Sequence, residues 1–583
     1  MAMLRRWCHM GKYFHFCLTI LACALLSGQA FAAELPDYAR EYIAGNFFNG
    51  TDPSDPAIAD AVQILSIPEA MAADIAGLGW EAGQLQRFAT PKLYMLVDCP
   101  DGSIHALMFR DGKKRNDRTL DESRARVLRR LYSAELWAQK EDVALAQWRA
   151  SAAPDPEKTW QQTLRASAYE PWDPATIERA AANYNADGTR QAELALALAA
   201  LADSDYGHLS ARPAIWLISR MDAMSFRREN GTDSIPDLQA VSARVFYENV
   251  YYAVKARYEF PWAADVSESD FLQQVLSPRG SGEPLQRWRR HFYMAMLPEL
   301  VGLGAEDSEQ AINVARNAYA DYYQYEGDTT WEDFGMLTSL AVHEGRCEDC
   351  SNVENAFLRA LGVPGCQAYT PWWGHQDGNH AWTWIRGLGE PPGDGRNGVK
   401  VYVKTWDGNE DVTAEYTPVT EIMVPDRSSG EVALMVWNSD DWRRLCTANA
   451  TDGAAVFGDV GCRLNQALCF RQEGRPDMLC DLRSDGSFRW LNLSPGADDP
   501  ATGFTVNYDK TTPVGEMSPD EDYELLYYSE QGWMAAPAER LSTGGFSFIG
   551  NADRLYRITG PGIANRPFTV ELDDSGEVVT LKR

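Results

Sequence analysis

A helix that opens on a cysteine and closes on Gly362-Val363-Pro364 constrains this chain more than any other segment. From Glu348 the sequence reads EDCSNVENAFLRALG, and Cys350, Val353, Phe357 and Leu361 recur at helical spacing, giving one apolar, buried face. Gly362 and Pro364 terminate it, as a C-terminal glycine and a following proline do. Gly345, just ahead, permits a tight turn into the helix. Cys347 therefore falls at the helix N-terminus, where unpaired N–H groups and the macrodipole favour an anion and lower a thiol pKa. Glu348 and Asp349 suit a helix start but oppose a thiolate, so the dipole alone does not suffice. A histidine partner is required.

Cys350 lies one turn later on the apolar side and is the rival nucleophile; its plain role is a small buried hydrophobe or half of a disulfide. Cys347-x-x-Cys350 also fits a redox pair or half of a zinc site, with His375 and His380 as further ligands. A redox motif would want a strand just before it, whereas residues 337–344 read as helix.

Downstream, Gly365-Cys366-Gln367-Ala368-Tyr369-Thr370 is strand-like, and a polar turn over 375–379 leads into His380-Ala381-Trp382-Thr383-Trp384-Ile385. His380, Trp382 and Trp384 share one face of that strand. The Gly/Pro-rich loop 387–398 is predicted to be a hairpin turn, and 399–406 its return strand, ended by Asp407-Gly408. Such a hairpin sets Asp407 beside His380, so that the carboxylate holds one imidazole nitrogen while the other faces the thiol. Asp394 and Asp411 are alternative carboxylates. Singly, the pieces are ordinary: a histidine among tryptophans is commonly core, and Asp-Gly is a common turn.

Gly345-Arg346-Cys347, Leu358-Arg359-Ala360-Leu361-Gly362-Val363-Pro364, His380-Ala381-Trp382 and Asp407 together resemble the transglutaminase-like superfamily of papain-type folds, over roughly residues 285–425. The long loop before Asp407 departs from the compact hairpin of that family. Asp411-Val412-Thr413-Ala414-Glu415-Tyr416 resembles large bacterial secreted members with β-sandwich domains downstream. The resemblance implies a Cys347–His380–Asp407 triad acting on amide or acyl bonds of peptide, glycopeptide or polysaccharide-linked substrates. The motifs alone do not choose between hydrolysis and crosslinking; the acidic surface and the accessory β domains favour hydrolysis, and no cofactor and no metal are expected. The competing expectation is a non-catalytic scaffold whose β domains bind glycan or peptide.

The remaining sequence bounds the setting. Arg5, Arg6 and Lys12 precede an apolar run and Ala30-Phe31-Ala32, the pattern of an export signal cleaved near Ala32/Ala33, for a secreted or periplasmic protein. Ile20-Leu21-Ala22-Cys23 is a fainter lipoprotein-like box, ranked below soluble export. No later segment is long and apolar enough to be a membrane helix. The 583 residues carry a net charge of −29, or −32 without the three basic signal residues, which repels nucleic acid and anionic lipid. Residues 33–155 are expected to be mixed α+β, with strands over 93–98 and 104–110 and a long helix over 120–151. Residues 156–284 are expected to be helical, 285–425 the α+β catalytic core, and 430–583 all-β and sandwich-like. Cys446, Cys462, Cys469 and Cys480 are expected to form two disulfides in an exported chain.

Overall fold

The computed structural model describes residues 35–65, 92–133, 142–167, 173–222, 234–327, 333–387, 391–406, 408–494 and 521–540, with shorter pieces at 136, 225–227, 502–506, 546–551, 553–562 and 566–570. The export signal and Asp407 lie outside the described residues. The architecture is mixed α+β, helical in its earlier part and sheet-rich later. No described helix is long and apolar enough to cross a membrane. The chain divides into two compact units. One comprises Met1–Gln367, Thr383–Gly389 and Lys404–Gly408; the other comprises Ala368–Trp382, Glu390–Val403 and Asn409–Arg583.

In the first unit, helices Asp37–Phe47 and Pro56–Asp60 precede an antiparallel sheet in the order Val62–Ile64, Lys92–Asp98, Ile104–Arg110, Lys113–Leu120. The two expected strands are present, and a third, charged strand follows them. Among the described residues the expected 120–151 helix is interrupted, with helices at Glu122–Leu131 and Val143–Ala150. The break has a local cause. The Asp142 side chain accepts from Ala144 N and starts a fresh helix, which charge-rich periodicity alone does not reveal. Asp155 and Asp173 cap helices in the same way, each followed by proline at the first helical position. Residues 153–156 thus already contain a helix cap and the helix's first residue.

Helices Ala243–Glu259, Trp288–Leu303, Ser308–Tyr322 and Cys347–Ala360 share one core, in which Phe292 and Phe357 stack with ring centroids 4.2 Å apart. Glu299 binds this bundle to helix Glu122–Leu131 by accepting from Arg126 (2.9 Å), Arg130 (2.8 Å) and Ser123 (2.8 Å). The Arg126 hydrogen bond, helped by Ser123 and Arg130 and opposed by burial, lowers the Glu299 carboxyl to about 2. A depressed carboxyl stabilises the fold above its unfolded value and loses that contribution as pH falls through the folded one. Glu299→Gln is therefore expected to cost about 1–2 kcal/mol at pH 7, discounted for the exposed arginines. In urea unfolding the deficit should shrink between pH 4.5 and pH 2.

The second unit holds a five-stranded antiparallel sheet in the order Asp441–Ala450, Gly430–Asn438, Gln466–Arg471, Met478–Leu482, Phe488–Leu491. Val432, Leu434, Val436, Leu468 and Phe470 face one apolar cluster, and Met435, Trp437, Cys469 and Leu479 face another. The disulfide expectation is corrected: Cys446, Cys462, Cys469 and Cys480 form no disulfide, and neither do the other described cysteines. Register rules out one of the pairings, Cys469 with Cys480. Cys469 pairs with Leu479 and Leu468 with Cys480, so the two cysteines project from opposite faces of adjacent strands. Cys462 and Cys480 pack instead as small hydrophobes, and burial raises both thiols.

One further sheet runs in the order His380–Ile385, Gly365–Thr370, Tyr402–Thr405, Gly408–Asp411. Tyr402 pairs with Tyr369 and Val403 with Ala368, antiparallel. The strand that starts at His380 and the one that leads to Asp407 therefore lie on opposite edges of Gly365–Thr370. The expected hairpin between them is not formed, because the central strand takes the hydrogen bonds such a hairpin would use.

Candidate active site

Cys347 is the first residue of helix Cys347–Ala360, and its thiol is partly exposed. Asp349, at the third helical position, reaches back to accept from Arg346 N (3.0 Å), and its other oxygen accepts from Phe334 N (2.9 Å). Arg346 in turn donates to Asp333 (2.7 Å), so the residue preceding the cysteine is clamped between two carboxylates. Burial pushes the Asp349 carboxyl up to about 7, with Asp333 adding and Arg346 opposing. Gly345 is required by space, since a Cβ there would collide with the Tyr323 hydroxyl and with Asp349. The chain arrives from His343, which adopts φ 62° at the end of helix Met336–Val342.

The far end of this helix shows what the Leu-Arg-Ala stretch does. Arg359 is buried and donates to the carbonyls of Gly365 (2.8 Å) and Arg279 (2.6 Å), fixing the turn from helix into strand. Along the helix, Asn352 donates to buried Glu283 (3.2 Å), and Gln367 donates to the Glu348 carbonyl (3.1 Å). Thr383 donates to the Ser351 carbonyl (3.4 Å), so the second half of the histidine strand lies on the cysteine helix within the first unit.

The two candidate thiols differ in environment. Burial pushes the Cys350 thiol up to about 12, with Tyr319 opposing and Asp349, Glu354 and Glu348 adding, and its Sγ lies 3.6 Å from the Gly345 carbonyl. Such a thiol is inert at neutral pH. Cys347 Sγ lies 3.2 Å from Glu348 Oε2, an acidic neighbour that opposes a thiolate, as its sequence position suggests. Tyr325 is 68% exposed, and its phenol is raised by partial burial and then by Cys347, Cys350 and Glu348. Among the described residues no three His, Cys, Asp or Glu side chains converge as a metal site.

In the second unit, His380 opens its strand half-exposed, between Trp373 and Trp382, with ring centroids 6.3 Å and 5.5 Å away. Its Nε2 lies 3.7 Å from Asp394 Oδ1, an ion-pair separation longer than a hydrogen bond. The Gly393–Gly395 turn delivers Asp394 because Gly395 packs where a Cβ would strike Tyr416 and Trp382, and Trp382 Nε1 donates to the Tyr416 hydroxyl (3.0 Å). The loop 387–398 thus presents the alternative carboxylate. Asp411 is engaged elsewhere, accepting from Lys400 Nζ (2.6 Å) and the Thr413 hydroxyl (2.6 Å).

Sequence reading missed several residues around the site. Tyr416 was visible only as part of a motif, and nothing near it signalled a hydrogen bond to Trp382. Glu283 and Arg279 sit in an irregular stretch with no periodicity to flag them. Asn438 stands before a Ser-Asp turn and reads as turn chemistry alone.

Comparison with protein-family models, with curated proteins and with solved structures returned no match.

Proposed function

We propose that this chain is an exported thiol enzyme with a papain-type, transglutaminase-like core, acting by acyl transfer on amide bonds of peptide or glycopeptide substrates. Cys347 is the nucleophile and His380 the general base and then acid. The thiolate attacks the amide carbonyl carbon, and the oxyanion is received by the Cys347 backbone N–H at the helix N-terminus. His380 then gives its proton to the departing amine as the C–N bond breaks, leaving a thioester. Water, deprotonated by His380, attacks that thioester and releases the acid and the thiol. Hydrolysis is favoured over transfer to a second amine. The β-rich region is read as sandwich-like, and the leader as a cleaved export signal.

One observation carries the reading. A partly exposed thiol occupies the first position of a helix whose rival cysteine is deactivated by burial. The position of Glu348 favours the alternative, a non-catalytic scaffold, because its carboxylate lies against the thiol. A glutamine- and asparagine-containing peptide and glycopeptide library separates them, read for amine or ammonia release and for incorporation of a labelled amine. Release that disappears in Cys347→Ala supports the enzyme. Incorporation exceeding release would replace hydrolysis with crosslinking, and neither signal would leave the scaffold reading standing.

Asp394 is assigned to orient His380. Asp407 first drew that role from an expected hairpin, and the strand order removes that argument. Asp394 is 51% exposed and 3.7 Å away, so solvent screens it. Asp394→Asn should therefore slow turnover about 3- to 10-fold, well short of the ~10⁴-fold of a buried triad carboxylate. Asp407→Asn is expected to stay within about twofold; a loss of about 10²-fold or more would return the role to Asp407.

A further inference from the structure

The turn that precedes His380 is held by side chains from the β-rich region. Asn438, the last residue of strand Gly430–Asn438, is fully buried. Its Nδ2 lies 2.9 Å from each of the carbonyls of Trp373, Gln376 and Gly378, and its Oδ1 accepts from Gly378 N (3.0 Å). An amide has two N–H donors, so one of them is shared between carbonyls. The turn also closes on itself through Trp373 N to Gly378 O (3.1 Å). Asn438 can reach into it because Ser439 and Asp440 both adopt positive φ, reversing the chain within two residues.

Three further contacts come from the same region. Ser439 N donates to Asp377 Oδ1 (2.8 Å), and Arg566 donates to Asp377 Oδ1 (2.7 Å) and to the Gly374 carbonyl (3.3 Å). Gln466 packs its amide oxygen against Gly374 so closely that a Cβ there would collide with it. Residues 373, 374, 376, 377 and 378 of the turn are thus held by residues more than 50 positions downstream, and Asn379 and His380 follow directly. A loop this polar would otherwise sample many backbone states, and ordering it costs conformational entropy.

We infer that Asn438, supported by Arg566, is a positioning residue for His380, and that the β-rich region is part of the catalytic machinery rather than a detachable binding module. The inference rests on the proposed role of His380. Asn438 touches no substrate in this scheme; it acts only by setting where the imidazole stands. It predicts that loss of Asn438 reproduces loss of the imidazole, in a thiol far along the chain.

The test is the iodoacetamide alkylation rate of Cys347 against pH in the full chain, mapped by mass spectrometry. In the wild type, pairing with the imidazole should hold the inflection well below the ~8.5 of a free thiol. Asn438→Ala should move the inflection toward that free-thiol value and cut the rate at pH 6 about 10- to 100-fold. Arg566→Ala should cut it about 3- to 10-fold by the same route. A general loss of packing would slow or speed alkylation at every pH without moving the inflection. Asn438→Ala combined with His380→Ala should be no worse than His380→Ala alone, because both remove one interaction. Circular dichroism checks folding, and Arg566→Ala carries the test should Asn438→Ala not fold. A folded Asn438→Ala or Arg566→Ala protein with the wild-type profile overturns the inference, provided His380→Ala shifts it. If His380→Ala also leaves the profile unchanged, the proposed function falls with it.

Discussion

Replacing Cys347 by alanine is expected to abolish thiol labelling at pH 7 and all amide turnover while leaving the fold intact. The loss should exceed that of any other single substitution, because no other described cysteine can take over. Cys350 is three residues along the same helix, yet burial raises its thiol to about 12, so its thiolate fraction at pH 7 is about 10⁻⁵. Cys366 is buried, its Sγ 3.1 Å from the Trp384 carbonyl. The remaining five described cysteines lie far along the chain, and burial raises the thiols of all of them, Cys99 and the four in the β-rich region. Cys347→Ala removes little packing, since the side chain is partly exposed at a helix end, and alanine is a good helix former. Cys350→Ala is the matched control. It should retain labelling at Cys347 and lose about 1 kcal/mol of stability from a half-buried contact. Labelling at Cys350 in the Cys347→Ala protein would mean the two environments have been assigned the wrong way round.

The second large effect is expected at His380. His380→Ala should lower turnover by about 10³-fold or more and move the Cys347 alkylation profile to that of an ordinary thiol. The argument is electrostatic. Glu348 Oε2 at 3.2 Å and Asp349 in the first helical turn both disfavour a thiolate, and a helix terminus contributes only about 0.3–1 kcal/mol toward one. A depressed thiol in that acidic setting needs a cation, and the imidazolium is the candidate. Glu348→Gln makes the complementary change and should speed alkylation in the wild type and in His380→Ala alike. Turnover that survives His380→Ala would remove the base from the scheme and leave Cys347 with no route to ionise.

How far the sequence carried these assignments follows from the range of each interaction. The cysteine helix was legible because its period, its glycine-proline end and its acidic start are all local signals, and the observed helix is Cys347–Ala360. The His380 strand was legible for the same reason. Strand order was not. Whether Gly365–Thr370 lies between the two later strands depends on pairings across the sheet, and a Gly/Pro-rich loop is compatible with either arrangement. That single ambiguity displaced the argument for Asp407. For Cys469 and Cys480 the disulfide expectation failed on register: composition and export suggest bridges, but a one-residue offset sends these two to opposite faces. Asn438 shows the limit most plainly, since its four hydrogen bonds to the 373–378 turn span about 60 residues and leave no trace in local pattern.

The central claim, a thiol at Cys347 made nucleophilic by His380, is tested most directly by one comparison. The second-order rate of iodoacetamide alkylation is measured from pH 5 to pH 9 for the wild type and for His380→Ala, with the labelled residue identified by mass spectrometry. The account predicts label on Cys347, an inflection in the wild type at least about 1.5 units below the ~8.5 of a free thiol, and its return toward that value in His380→Ala. Label on Cys350, or the same free-thiol profile in both proteins, would contradict it.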